Sequence, residues 1–166
     1  MNELGARVNA PPRGLSVDGP SAVDRSRLEA MFDRCSASTL FHRFHGGGEH
    51  VPTRYLDRAL AQSETHVFLV ARLGDDIVGV AEAHRDGNGT SEIAVVVEDA
   101  WQHRGVGTRL VSALITNQRS RGVAALSASV LPEDSWVLRR LGRLGPISTK
   151  PASGIYDAVL ELPRRR

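Results

Sequence analysis

The stretch Val95–Leu110, VVVEDAWQHRGVGTRL, decides how this chain is read. A β-branched segment runs into a polar loop, the loop into Gly105 and Gly107, and the glycines into a segment where Val106, Leu110, Val111, Leu114 and Ile115 share one helical face. The spacing predicts strand, glycine turn, helix. The first turn of such a helix presents backbone N–H groups without intrahelical acceptors, together with the positive end of the helix dipole, so it favours an anion. Arg104 and Thr108 add a guanidinium and a hydroxyl in the same turn. Phosphate is the expected guest. A dinucleotide fingerprint would need a third glycine where Leu110 stands, and a P-loop would need the absent Gly-Lys-Ser/Thr.

Working outward, 166 residues suit one globular domain with enough chain to bury a core. The apolar runs Val67–Ala71 and Ile93–Val97 stop far short of the roughly 20 residues that span a bilayer, which predicts no membrane segment. Residues 1–14 read as a flexible leader without the apolar core of a signal peptide, Leu15 to Leu162 as a single domain, and residues 163–166 as a basic tail. Cys35 is the single cysteine and reads as a small buried hydrophobe. With no internal disulfide to form, the chain is expected to be cytoplasmic. The formal net charge is +2, aromatics are 5%, and bases are not interleaved with stacking residues, which argues against a nucleic-acid partner.

Periodicity places the remaining elements. Val23, Leu28, Met31 and Phe32 mark a first helix after Pro20 and Ser21, and Ser36 or Ser38 caps a short second one. Pro52 opens a third carrying Tyr55, Leu56, Ala59 and Leu60 on one side. HVFLVARL and DIVGVAEAHR read as a hairpin turning at Gly74, followed by the strand SEIAVVV. The helix from Gly105 stops near Ser120 before Gly122, VAALSASV returns to strand, Leu138, Leu141 and Leu144 mark a last helix, and GIYDAVLEL closes with a strand. The class is α+β, a mixed sheet covered by helices.

The run Gln102-His103-Arg104-Gly105-Val106-Gly107 directly after a β-branched strand resembles the pyrophosphate loop of the GNAT acyltransferase superfamily. The likeness extends from about Leu15 to Leu162, and RCSASTLFHRFHGG with SEIAVVVEDAWQHRGVG is similar to the catalytic domains of bacterial protein lysine acetyltransferases. The resemblance implies a sheet of about six or seven strands, an acetyl-CoA co-substrate, no metal, and a primary amine acceptor, either a protein lysine or a small molecule. It implies that the backbone of Val95, Val96 and Val97 pairs with the pantetheine arm. It further implies that Gln102, His103, Arg104, Gly105, Val106, Gly107 and Thr108 hold the pyrophosphate. His103 reads equally well as a plain exposed histidine.

The chemistry then needs a base, because a lysine-like ammonium has a pKa of about 10.4 and must lose a proton before it attacks a thioester. Glu92, near the start of the thioester strand, stands where the resembling enzymes carry their catalytic glutamate; the other reading is a solvated edge glutamate. The N–H of Val96 is the expected oxyanion donor. Asp134 and Leu141 stand where the superfamily usually has an asparagine and, seven residues on, an acid tyrosine. A thiolate leaves well unaided, so losing that acid need not abolish activity. Two alternatives remain beside the enzyme: a GNAT fold that senses acyl-CoA without turnover, and metal binding by His42, His45, Glu49 and His50 in HRFHGGGEH. The glycines of that stretch suggest a loop on the substrate side. Self-association into a homodimer stays open.

Overall fold

The computed structural model describes residues 10–44 and 50–162. Residues 1–9 of the expected leader, the expected basic tail at 163–166 and residues 45–49 lie outside it. Among the described residues the strands are β1 (Leu15–Asp18), β2 (His66–Leu73), β3 (Asp76–Arg85), β4 (Thr90–Val97), β5 (Ala125–Val130), β6 (Ile147–Ala152) and β7 (Ile155–Glu161). The helices are α1 (Arg25–Asp33), α2 (Ala37–Phe44), α3 (Thr53–Ala61), α4 (Val106–Ser120) and α5 (Trp136–Leu141). The strands form one mixed sheet in the order β1-β2-β3-β4-β5-β7-β6.

Alternation along the strands explains the two layers that cover the sheet. Phe68, Val70, Val80 and Val96 point to one face and pack against Leu28, Met31 and Phe32 of α1, Leu40 of α2 and Tyr55, Leu56 and Ala59 of α3. Val67, Ala71, Ala81, Ala83 and Ile93 point to the other and meet Val106, Leu110, Leu114 and Ile115 of α4. Residues i and i+2 of a strand share a face, so both cores are visible as period-two patterns. Gly79 sits where α4 comes nearest: a Cβ there would stand 3.0 Å from Leu110 Cδ1 and 3.1 Å from the Val96 carbonyl oxygen. The missing side chain lets helix and sheet close.

The feature that positions the site is the β4–β5 pairing. Antiparallel pairing of β4 with β3 runs over its whole length, from Arg85↔Ser91 to Gly79↔Val97. Parallel pairing with β5 covers only Thr90↔Ala125, Ser91↔Leu126 and Glu92↔Ser127. Past Glu92 the two strands diverge, and the sheet opens. α4 is entered at the far end of β4 through a single 3-10 turn at Asp99–Trp101. Among the described residues, no helix is long and apolar enough to cross a membrane.

Candidate active site

Two hydrogen bonds decide which peptide groups face the opening. The Glu98 N–H donates to the Val78 carbonyl on β3 at 3.0 Å, and the Val97 carbonyl, pointing the opposite way, accepts from Gln102 Nε2 at 3.0 Å. Peptide groups of successive strand residues alternate between the two edges. Val96 is therefore turned to β3, while Val95 and Val97 turn to the edge that β5 has left. The N–H of Val96, expected from sequence as the oxyanion donor, lies by this alternation in the β3–β4 ladder, and the N–H of Val95 faces the opening. Side chains alternate independently, with Val95 and Val97 packed on the α4 side and Val96 among α1–α3.

The glycine loop follows. Gly105 caps α4 with φ +80°, the left-handed region that costs a residue with a Cβ about 1 kcal/mol or more. The first bond within this turn is Arg109 N–H to the Gly105 carbonyl at 3.0 Å, and no side chain caps the helix. The N–H groups that precede Arg109 are left for a guest. At Gly107 a Cβ would meet only Val97 Cγ2 at 3.6 Å, so its bareness is not a packing need of the protein itself. Cationic groups gather here. Arg104 lies over the Trp101 ring, Arg140 of α5 lies over Trp136, and Arg140 Nη1 donates to Thr108 Oγ1 at 3.2 Å. The His103 ring stands 5.9 Å from Trp136. These donors fit a pyrophosphate.

The Gln102 side chain is tied within the protein. Its amide joins the Val97 carbonyl to Thr39 Oγ1 of α2, at 3.0 Å each. Beside it Ser36 donates to Asp99 through both its N–H and its hydroxyl, and Thr39 through its hydroxyl. Burial pushes the Asp99 carboxyl up, yet these bonds outweigh it and hold the group below the usual range. α2 is thus anchored to the end of β4.

At the other end of the opening stands Glu92, the last residue of β4 paired with β5. Its side chain is exposed and borders two cavities. One, of about 430 Å³, lies on the α1–α3 side and is lined by Arg43, Arg58, His66, Glu82 and His84. The other, of about 310 Å³, runs along β5 and β7 past Ser127, Ser129 and Asp157. Glu82 forms the floor of the first, paired with Arg43 and with His66 Nε2 at 3.3 Å. Burial, with the facing His84, Arg58 and Arg43, holds the His66 ring below its ordinary value. A carboxylate at the apex of a split sheet, between a phosphate cradle and a polar cavity, suits transfer of a group from a phosphate-bearing carrier to a polar acceptor.

Comparison with known proteins agrees. Residues 33–145 match the model of the acetyltransferase (GNAT) family. The chain belongs to the GNAT acetyltransferase family. Acetyltransferase Pat of Mycolicibacterium smegmatis is 28% identical over 134 residues, 77% of this chain and 40% of that protein, so the chain spans less than half of this relative's length. The GNAT domain of S. lividans PAT superposes with a TM-score of 0.80 at 23% identity, covering 88% of this chain and 89% of that one. The structure of yncA, a putative acetyltransferase from Salmonella typhimurium with its cofactor acetyl-CoA, gives 0.70 at 18% identity, covering 92% and 95%. The GNAT fold is shared with both.

Within this GNAT frame, the residues singled out from sequence fall at two places. Gly105, Val106, Gly107 and Thr108 form the start of α4, with His103 and Arg104 in the loop before it; Glu92 lies across the opening, with Val95 to Val97 between. Sequence reasoning missed Arg140 and Trp136, because nothing in WVLRRL shows that α5 leans against the α4 cap. It also left Glu82, His66 and His84 unread, since each sits singly in a strand and only strand register unites them. Of the metal set, His45 and Glu49 lie outside the described residues; among the described ones, His42 turns to Asp134 and His50 Nδ1 stands 4.0 Å from Asp33.

Proposed function

We propose that the protein transfers acetyl from acetyl-CoA to a primary amine by direct attack in a ternary complex. The α4 N-terminus, Arg104, Thr108 and Arg140 hold the pyrophosphate, and the open edge of β4 at Val95 and Val97 pairs with the pantetheine arm as an added strand would. The N–H of Val95 meets the carbonyl oxygen as it gains charge. Glu92 takes the proton of the amine, directly or through water, and the polar cavity beside it admits the acceptor, a protein lysine or a small-molecule amine.

The observation that carries this reading is the position of Glu92 at the apex of the β4–β5 opening with a cavity on either flank. The test is mass-spectrometric screening of acetyl transfer onto lysine peptides, polyamines and aminoglycosides. General-base catalysis contributes about 10²–10⁴ in rate, so Glu92→Gln is expected to lower kcat by that order with acetyl-CoA affinity unchanged. A variant that keeps its turnover removes Glu92 from the role. The competing reading, an acyl-CoA sensor, draws support from Leu141, a buried side chain with no acidic group. A sensor binds the thioester and consumes none in the presence of any of these amines.

A further inference from the structure

One side-chain pair crosses the opening between the two halves of the sheet. His42 Nδ1 on α2 lies 3.2 Å from Asp134 Oδ2, in the turn that follows β5, and Nε2 lies 3.9 Å from Glu133 Oε1. The level of His42 along β4 is bracketed by its helical neighbours. Thr39 is bonded to the Gln102 amide that also holds the Val97 carbonyl, and Arg43 reaches Glu82, directly opposite Ala94. His42 lies on α2 between these two anchors. Its side chain is 36% exposed and that of Asp134 28%, so water reaches the pair.

We propose that His42, paired with Asp134 across the β4–β5 opening, gives the proton to the departing CoA sulfur. The inference rests on the acetyl-transfer reading above. The new bond joins the amine nitrogen to the acetyl carbon, and the C–S bond breaks with its electron pair staying on sulfur. The amine proton goes to Glu92, the His42 proton goes to sulfur, and exchange with water restores both groups. Asp134 lies beside Nδ1, while Nε2 lies beyond hydrogen-bond distance of Glu133, so the imidazolium form has an Nε2 proton that no side chain holds back from the sulfur. Leu141 has no proton to offer. The charged groups beside His42 are Glu133 and Asp134 from the turn before α5; Glu92 stands on the same face of the sheet at the other end of β4, and Arg43, next on the helix, is turned to Glu82. Across the cavity stand Arg58, His66 and His84.

The direct test needs no turnover. The thiol of CoA bound to the protein is titrated by its ultraviolet thiolate absorbance, in wild type and in His42→Gln. A thiolate paired with the His42 imidazolium is stabilised by the opposite charge, so the thiol is expected to titrate below the free value of about 8.5, and in His42→Gln to move back toward it. Equal titration in the two proteins overturns the proposal. With an amine that the wild type acetylates, His42→Gln is expected to lower kcat about 10²-fold, near the lower end for a general acid, with acetyl-CoA affinity and amine KM retained. An unshifted thiol in an active enzyme overturns the role of His42 and leaves the transfer reading intact. A protein that binds acetyl-CoA and acetylates no amine overturns both.

Discussion

Gly105 and Gly107 are two residues apart and answer to different constraints. Gly105 holds a left-handed φ of +80°, which the chain itself requires to turn from loop into helix. Gly107 has room for a Cβ and no positive φ, so a side chain there would intrude on whatever approaches the helix N-terminus rather than on the protein. Gly107→Val is accordingly expected to fold with near wild-type stability and to bind acetyl-CoA at least about tenfold more weakly, since each 1.4 kcal/mol lost is tenfold in affinity. Isothermal calorimetry beside thermal unfolding checks both halves. Unaltered affinity would move the phosphate cradle elsewhere.

At the scale of elements, β1 and α1 are held to the sheet by a buried ion pair. Asp24, 1% exposed, accepts two hydrogen bonds at 2.9 Å from Arg72 on β2, which also reaches Asp18 at the end of β1. The Arg72 bonds, opposed by burial and aided by Ser21, hold the Asp24 carboxyl far below the usual carboxylate range. A folded-state value below the unfolded one means that the pair stabilises the fold above about pH 4, the unfolded value of Asp, and that this stability is lost as pH falls toward the folded value. Asp24→Asn leaves Arg72 without its buried partner and is expected to cost about 3 kcal/mol at neutral pH. Its stability should then decline less steeply than that of the wild type on acidification, as followed by urea unfolding from pH 7 downward. Parallel pH curves would show that Asp24 does not carry the acid dependence. The same scale explains which elements were legible. The long helices and the strands of both cores announce themselves by period, whereas β6, ISTKPA, is an exposed edge strand with Lys150 and Pro151, and β1 is four residues long. Edges are kept short, charged or proline-bearing, and lose their alternation for that reason. α5 ends at Leu141, short of Leu144, because the chain turns there toward β6.

At the scale of the molecule, the sheet is closed on one side of Glu92 and open on the other. The β4–β5 ladder shuts at Glu92↔Ser127, and the space beyond it, lined in part by Ala128, Ala158 and Val159, also presents the polar groups of Glu92, Ser127, Ser129 and Asp157. Burying alkyl chain against such groups forfeits their hydration without return. Acetyl-CoA is therefore expected to be used well ahead of long-chain acyl-CoA donors in initial-rate measurements, and equal rates would mean that the acyl group leaves the opening by another path.

By itself the sequence determined the local chemistry: a glycine-capped helix start with an arginine and a hydroxyl, apolar periods that sort residues into two cores, and a glutamate on the strand before the loop. These are properties of neighbours in the chain, set by backbone sterics and side-chain spacing. Only the tertiary structure decided that β4 and β5 part after Glu92, that Val95 and not Val96 turns its peptide to the opening, that Arg140 reaches Thr108, and that His42 meets Asp134 across the opening. Each depends on register and on the meeting of segments far apart in the chain, and a one-residue change of parity, invisible in a run of three valines, turns a peptide group from the cleft to the ladder.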